Sequence, residues 1–121
     1  MHETGIAWEI LGSARQEAAR AGLPLSSVCV RLGKMSGVVA DALSFAFDAL
    51  KSQAGVPRAS LVIEPIPVEA VCPQCGSRKL PEEELILWCV ECGAAMRVCS
   101  GEQMEIAWIE VDDAGRTETG T

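Results

Sequence analysis

Positive charge is scarce in this 121-residue chain: ten lysines and arginines stand against seventeen aspartates and glutamates, for a formal net charge of −7. Four thiolates gathered around one dication would take that to −9 (−7 − 4 + 2). Binding to phosphate backbones rests on neutralisation by lysine and arginine, so the balance argues against a nucleic-acid partner. No stretch approaches the roughly eighteen consecutive apolar residues of a membrane span. No basic leader precedes an apolar run, so no secretory signal is expected. His2 is the sole histidine, and no nucleophile is paired with a base, which leaves little for an enzyme to work with. Without an export signal, the six cysteines are expected in a reducing cytoplasm, where CxxC pairs bind metal more often than they form disulfides.

What is present is ordinary in bulk: 49% hydrophobic and 22% charged residues, enough for one domain or two small ones. A small second module would need a staple such as a metal. Ile6, Ile10, Leu11, Ala14, Ala18 and Ala21 recur at helical spacing over residues 4–22, and Gly22-Leu-Pro24 stops that run. Residues 25–32 alternate, with Val28, Val30 and Leu32 on one face and Cys29 and Arg31 on the other, as in a half-buried strand. Gly33 and Gly37 bracket a turn. Val39, Leu43, Phe47 and Leu50 mark a second helix, with Val38, Ala42, Phe45 and Ala49 widening its apolar face, and Gly55 and Pro57 end it. Residues 61–66 read as a strand whose Pro65 and Pro67 put its end at a sheet edge or exit. Cysteine, glycine and charge then dominate to Cys99, a final strand alternates over residues 103–111, and a polar tail of residues 113–121 follows. The order helix, strand, helix, strand, cysteine module, strand describes an α+β fold with the module inserted over 71–100. The domain of residues 1–70 is completed by a strand within 101–112.

Cys72-Pro-Gln-Cys75 and Cys89-Val-Glu-Cys92 are separated by thirteen residues, and a glycine (Gly76, Gly93) follows each second cysteine. Glycine lets backbone amides approach a sulfur in a tight knuckle, and four soft thiolates in a tetrahedron suit Zn²⁺. The spacing is slightly shorter than the usual ribbon range of roughly 15 to 20 and implies a compact hairpin between knuckles. Two redox dithiols are the competing reading, but these would open helices in a βαβ unit. Iron, as in rubredoxin, needs the same ligands and is separated poorly from zinc by sequence. Four closed thiolates leave no open coordination position, so such a site is structural. Cys29 reads as a small buried hydrophobe, Cys99 as a spare thiol or neighbour of the site, and Glu82-Glu83-Glu84 as a solvated loop.

His2 reads most plainly as an exposed residue on a frayed terminus. It can also offer its imidazole, its backbone nitrogen and the terminal amine of Met1 to one metal, with Glu3 supplying a fourth donor through backbone nitrogen or carboxylate. A planar, nitrogen-rich set favours Ni²⁺ or Cu²⁺ over zinc. Backbone nitrogens bind only when deprotonated, so affinity should fall with acid.

The opening Met1-His2-Glu3, the stretches Val30–Val39 and Ala42–Phe47, Leu61-Val-Ile-Glu64, the double CxxC and Met104–Val111 together resemble the HypA/HybF family. These are nickel metallochaperones that mature [NiFe]-hydrogenase. The resemblance implies two helices packed on a three-stranded sheet, a zinc-ribbon-like domain held by Cys72, Cys75, Cys89 and Cys92, and nickel as cargo at the N-terminus with His2 the essential ligand. It also implies a HypB-type GTPase and the hydrogenase large subunit as partners, with urease served in some members. Ala40-Asp41 and Ser100–Met104 depart from the pattern, so the entry to the second helix and the loop after the cysteines are expected to differ. The sequence leaves monomer and homodimer open. The main alternative from the residues is a zinc-ribbon protein–protein interaction module that carries no metal to a recipient.

Overall fold

A computed structural model describes residues 2–79 and 87–112, with the side chains of His2 and Lys79 excepted. Met1, the Glu82-Glu83-Glu84 run and the 113–121 tail lie outside the described residues. Spatial proximity groups the described chain into two units, one from residues up to Val30, Val38–Ile63 and from Ile106, the other from Arg31–Gly37 and Glu64–Glu105.

In the first unit, α1 (His2–Ala21) buries Ala7, Ile10, Leu11, Ala14 and Ala18, the apolar stripe that its 3.6-residue period predicts. It closes at Gly22, whose φ of 73° is the left-handed cap; the Leu23 amide donates to the Ala18 carbonyl (3.3 Å) and Gly22 to Ala19 (3.0 Å). α2 (Ala40–Leu50) contributes Leu43 and Phe47, both without solvent exposure. Each such side chain stabilises the fold by roughly 1.5–3 kcal/mol through area removed from water. Val39 caps α2 with no side-chain bond of its own. Instead the carboxylate of Glu3, from the first turn of α1, accepts the Val39 amide at 3.0 Å.

The first sheet has the order β2-β1-β6, with β1 (Leu25–Gly33) between β2 (Ser60–Ile66) and β6 (Met104–Val111). Ser60 lies on Ser26 and Lys34 donates to Ile66, so β1 and β2 run parallel, with α2 in the connection that parallel pairing requires. Gly33 donates to Gln103 (2.7 Å) and Asp112 to Pro24 (2.8 Å), which makes β6 antiparallel and returns the last strand to the first sheet. One detail differs from the alternating pattern. Ser27 and Cys29 are buried as well as Val28 and Val30, and only Arg31 is exposed. A central strand has neighbours on both sides, and the Ser27 hydroxyl donates to Glu110 on β6 at 2.9 Å.

The second unit contains a smaller sheet that residue pattern alone did not signal. β3 (Glu69–Val71) is flanked by β4 (Arg78–Lys79) and β5 (Arg97–Ser100), both antiparallel to it. Strands of two to four residues are too short for a period-2 signal. They exist because Ala70, Cys72, Cys89 and Met96 form a small buried cluster with Leu87 and Ala94 against it. An Arg78–Glu69 ion pair closes the β3–β4 side.

Candidate functional site

Each CxxC folds into the same turn. In the first, Cys72 N–H donates to the Ser77 carbonyl (2.9 Å) and Gly76 N–H to the Cys72 carbonyl (2.9 Å). In the second, Cys89 N–H donates to the Ala94 carbonyl (2.8 Å) and Gly93 N–H to the Cys89 carbonyl (2.7 Å). Both turns pass through a glycine with positive φ, 77° at Gly76 and 75° at Gly93, where a side chain would be strained. The second turn is pinned further by the Trp88–Ala95 bridge. In both knuckles the first cysteine is buried (Cys72, Cys89) and the second exposed (Cys75, Cys92).

The two knuckles bring four sulfurs together, all ligand atoms lying within 4.8 Å of one another. Cys72 Sγ stands 3.3 Å from Cys92 Sγ, and Cys75 Sγ 3.6 Å from Cys89 Sγ. A tetrahedron with Zn–S bonds of about 2.3 Å has edges of about 3.8 Å, so the cluster is consistent with a four-thiolate zinc site. Redox dithiols would stand as two separate pairs; here every sulfur belongs to one cluster. Cys99 lies outside it, its thiol near the Arg97 carbonyl at 3.8 Å. The knuckles are also tied by Ser77, whose hydroxyl donates to Glu91 at 2.8 Å and lies 3.4 Å from the Cys75 sulfur. Sequence reasoning passed over Ser77 and Glu91; the available signal was a hydroxyl directly after the knuckle glycine.

Crowding four thiols splits their acidity. The Ser77 hydroxyl, then the Ser77 backbone, hold Cys75 down to about 6. Cys72 is also lowered, chiefly by the Cys75 backbone. For Cys92, the Ala94 backbone pulls downward but is outweighed by the Cys72 thiol, burial, and Cys89 and Cys75, and the group is pushed up to about 12. The metal-free cluster therefore keeps a proton on Cys92 at neutral pH, and a metal must displace it. Because protons and metal compete for the same sulfurs, apparent zinc affinity rises with pH and falls in acid. Calorimetric loading at pH 7 in two buffers of different ionisation enthalpy should give a heat that depends on the buffer, reporting net proton release. Identical heats would refute this account of the cluster.

At the other end of the chain, helix begins earlier than residue 4: the His2 backbone starts α1 and Glu3 lies in its first turn. Met1 lies outside the described residues, and the Glu3 carboxylate is bonded to the Val39 amide. Among the described residues, Cys72, Cys75, Cys89 and Cys92 are the cluster of potential metal ligands that the fold gathers.

A family profile described as "Hydrogenase/urease nickel incorporation, metallochaperone, hypA" matches residues 1–111. The chain belongs to the HypA family. The hydrogenase maturation factor HypA of Roseiflexus sp. is 36% identical over 115 residues, covering 93% of this chain and 94% of its own. That of Streptomyces avermitilis is 33% identical over 124 residues, with 100% and 94% covered. The fold resembles the solution structure of the Ni metallochaperone HypA from Helicobacter pylori, with a TM-score of 0.62 at 19% identity, over 90% of this chain and 96% of that one. Another HypA solution structure gives 0.67 at 21% identity, over 92% and 96%. As a HypA-family member the chain is a metallochaperone of hydrogenase and urease nickel incorporation and not an enzyme. Nickel is its cargo, and the four-cysteine site is consistent with structural zinc. Among the described residues no helix is long and apolar enough to cross a membrane.

Proposed function

We propose that this chain binds Ni²⁺ at its N-terminus through Met1, His2 and Glu3. In the cytoplasm it delivers the ion to the [NiFe]-hydrogenase large subunit together with a HypB-type GTPase, and urease is a second recipient. Residues 1–70 with 101–112 carry the nickel function. Zn²⁺ bound by Cys72, Cys75, Cys89 and Cys92 shapes residues 71–100.

The observation that supports this reading is the start of α1 at His2. The first four amide N–H groups of a helix have no acceptor within it. His2 and Glu3 amides can therefore exchange a proton for a metal without breaking a helical hydrogen bond. The Glu3 carboxylate accepts the Val39 amide, and in this reading Glu3 offers nickel its backbone nitrogen. It also fixes the start of α1 against the start of α2, which limits how the terminal donors are spread.

Calorimetric titration of untagged, zinc-loaded protein with Ni²⁺ should give about one site per chain. His2→Ala, and separately an N-terminal extension that removes the free amine, should each weaken it by at least ~100-fold, above the ~10–100-fold that a supporting contact supplies. Unchanged affinity in both proteins would reject the N-terminal site. A zinc-ribbon interaction module without metal delivery is favoured by one feature. Trp88 (57% exposed) and Val90 (72%) flank Cys89 as an apolar rim on the knuckle. That reading predicts no nickel-dependent partner and no role for the amine, so the same titration separates the two.

A further inference from the structure

Two residues that are not ligands are linked to one of the four sulfurs. The Ser77 hydroxyl oxygen stands 3.4 Å from the Cys75 sulfur and 2.8 Å from the Glu91 carboxylate. The shorter distance is that of an ordinary O–H···O bond. Glu91 belongs to the other knuckle, between Cys89 and Cys92, so one hydroxyl touches both turns. A serine hydroxyl has one proton to donate and two lone pairs with which to accept. While Cys75 is a thiol, both contacts are satisfied: its S–H donates to the hydroxyl oxygen, and the O–H donates to Glu91. A zinc-bound cysteine is a thiolate, which has no proton and can only accept. Cys75 and Glu91 are then two anions facing a single hydroxyl proton.

We infer that Glu91 and the zinc-bound Cys75 thiolate compete for the Ser77 proton, and that this competition sets how long the site holds its ion. Ser77 is a positioning residue. By donating to the thiolate it offsets the sulfur's charge and orients the side chain, as outer hydrogen bonds do for metal ligands generally. Glu91 draws that donor away and turns an oxygen lone pair toward the sulfur. The two residues therefore act in opposite directions, Ser77 retaining zinc and Glu91 loosening it. A mechanical tie between the knuckles would behave differently, because losing either partner would break it and speed release. Cys75 is one of the two sulfurs that meet solvent, so the competition operates where an outside ligand can reach. The inference rests on zinc being held by Cys72, Cys75, Cys89 and Cys92, and it involves none of the terminal nickel donors.

The rate of zinc release from full, zinc-loaded chains to an excess of chromogenic chelator tests this at fixed pH. Ser77→Ala should release zinc about tenfold faster or more. Ser77→Thr keeps the hydroxyl and should stay within about threefold of the wild type. Glu91→Gln should slow release by about threefold or more, because its amide can donate to the hydroxyl oxygen and leave the proton to the sulfur. In the Ser77→Ala background the same change should alter the rate by less than about twofold. Cadmium-loaded protein provides a second readout: the cadmium NMR resonance should move in opposite directions in Ser77→Ala and Glu91→Gln. Equal rates for Ser77→Ala and the wild type would overturn the inference. So would faster release from Glu91→Gln, which would leave the pair a mechanical tie. A Glu91→Gln effect undiminished without Ser77 would overturn it too, by making charge alone the cause. A wild type that takes up no zinc would overturn the metal reading beneath the inference, a failure distinct from the others.

Discussion

Cys89→Ala is expected to cost the chain its zinc and, with it, the ordered structure of the cysteine unit, while α1 and α2 persist. Cys89 has no solvent exposure, and among the described residues its buried cluster holds Ala70, Cys72 and Met96, with Leu87 and Ala94 packed against it. A core of that size cannot offset the entropy of ordering some thirty residues. The missing stability has to come from the ion, whose apparent binding free energy in four-ligand structural sites is about 10–16 kcal/mol near neutral pH. Removing one thiolate opens the coordination shell and leaves a hole where the knuckle turned. The measurement is zinc content together with amide resonances. Signals from residues 69–79 and 87–100 should collapse into the unfolded range, and those of α1 and α2 should stay dispersed. A strong chelator should reproduce the change in the wild type, and zinc should reverse it. A cysteine unit that keeps its dispersion with no metal bound would show that its apolar contacts suffice, contrary to the sum above.

Gly33→Ala is the second large effect, and its origin is steric. Gly33 donates to the Gln103 carbonyl and Met35 to the Gly101 carbonyl, each at 2.7 Å, so two backbone segments lie side by side with no side chain between them. A Cβ built on Gly33 falls on the Gly101 carbonyl group, far inside the 3.0 Å that real Cβ atoms keep. No flexible side chain is there to move. Gly101 is equally constrained: its φ is 112°, and a Cβ on it would stand 2.7 Å from the Val68 Cα. Gly33→Ala should therefore cost about 3 kcal/mol or more, the upper end for overpacking. Gly37→Ala is the control, since Gly37 has positive φ (83°) but no neighbour within 4 Å of its added Cβ. Its cost should be nearer 1 kcal/mol, from conformational strain alone. Urea unfolding of the three proteins compares them directly. If Gly33→Ala lost no more than Gly37→Ala, the close approach would not be limiting.

Gly33 also illustrates what a sequence can and cannot disclose. Its position beside a turn was visible, but the reason for glycine is Gly101, far along the chain, and distant backbone contacts leave no local pattern. The same holds for Glu3, whose carboxylate completes the start of α2 through Val39. An acidic residue in a first helical turn looks like dipole compensation whatever it touches. Elements with a strong period were legible: most of the α1 stripe, Leu43 and Phe47 of α2, and the strands that became β1, β2 and β6, whereas Ala21, Val39 and Phe45, read as part of the apolar faces, are exposed. The return of β6 beside β1 could be inferred from element order. Residue type disclosed the burial of Cys29 but not that of Ser27, because alternation predicts one wet face for any strand and only topology reveals that β1 is central. β3, β4 and β5 were invisible, being shorter than the pattern that would announce them. The sulfur cluster was the most legible feature, since two CxxC pairs with following glycines constrain geometry over a few bonds. At the N-terminus the residue types suggested nickel chemistry, but periodicity placed the start of helix too late because His2 and Glu3 carry no apolar signal.

In both knuckles the leading sulfur is sheltered and the trailing one meets solvent. The tetrahedron is therefore accessible along one edge, between Cys75 and Cys92, and shielded along the edge between Cys72 and Cys89. A competing chelator, or a heavier thiophilic ion such as cadmium, encounters the first edge before the second. A zinc ion held there would present the Cys75 and Cys92 thiolates to an incoming ligand, with Cys72 and Cys89 kept behind the small core.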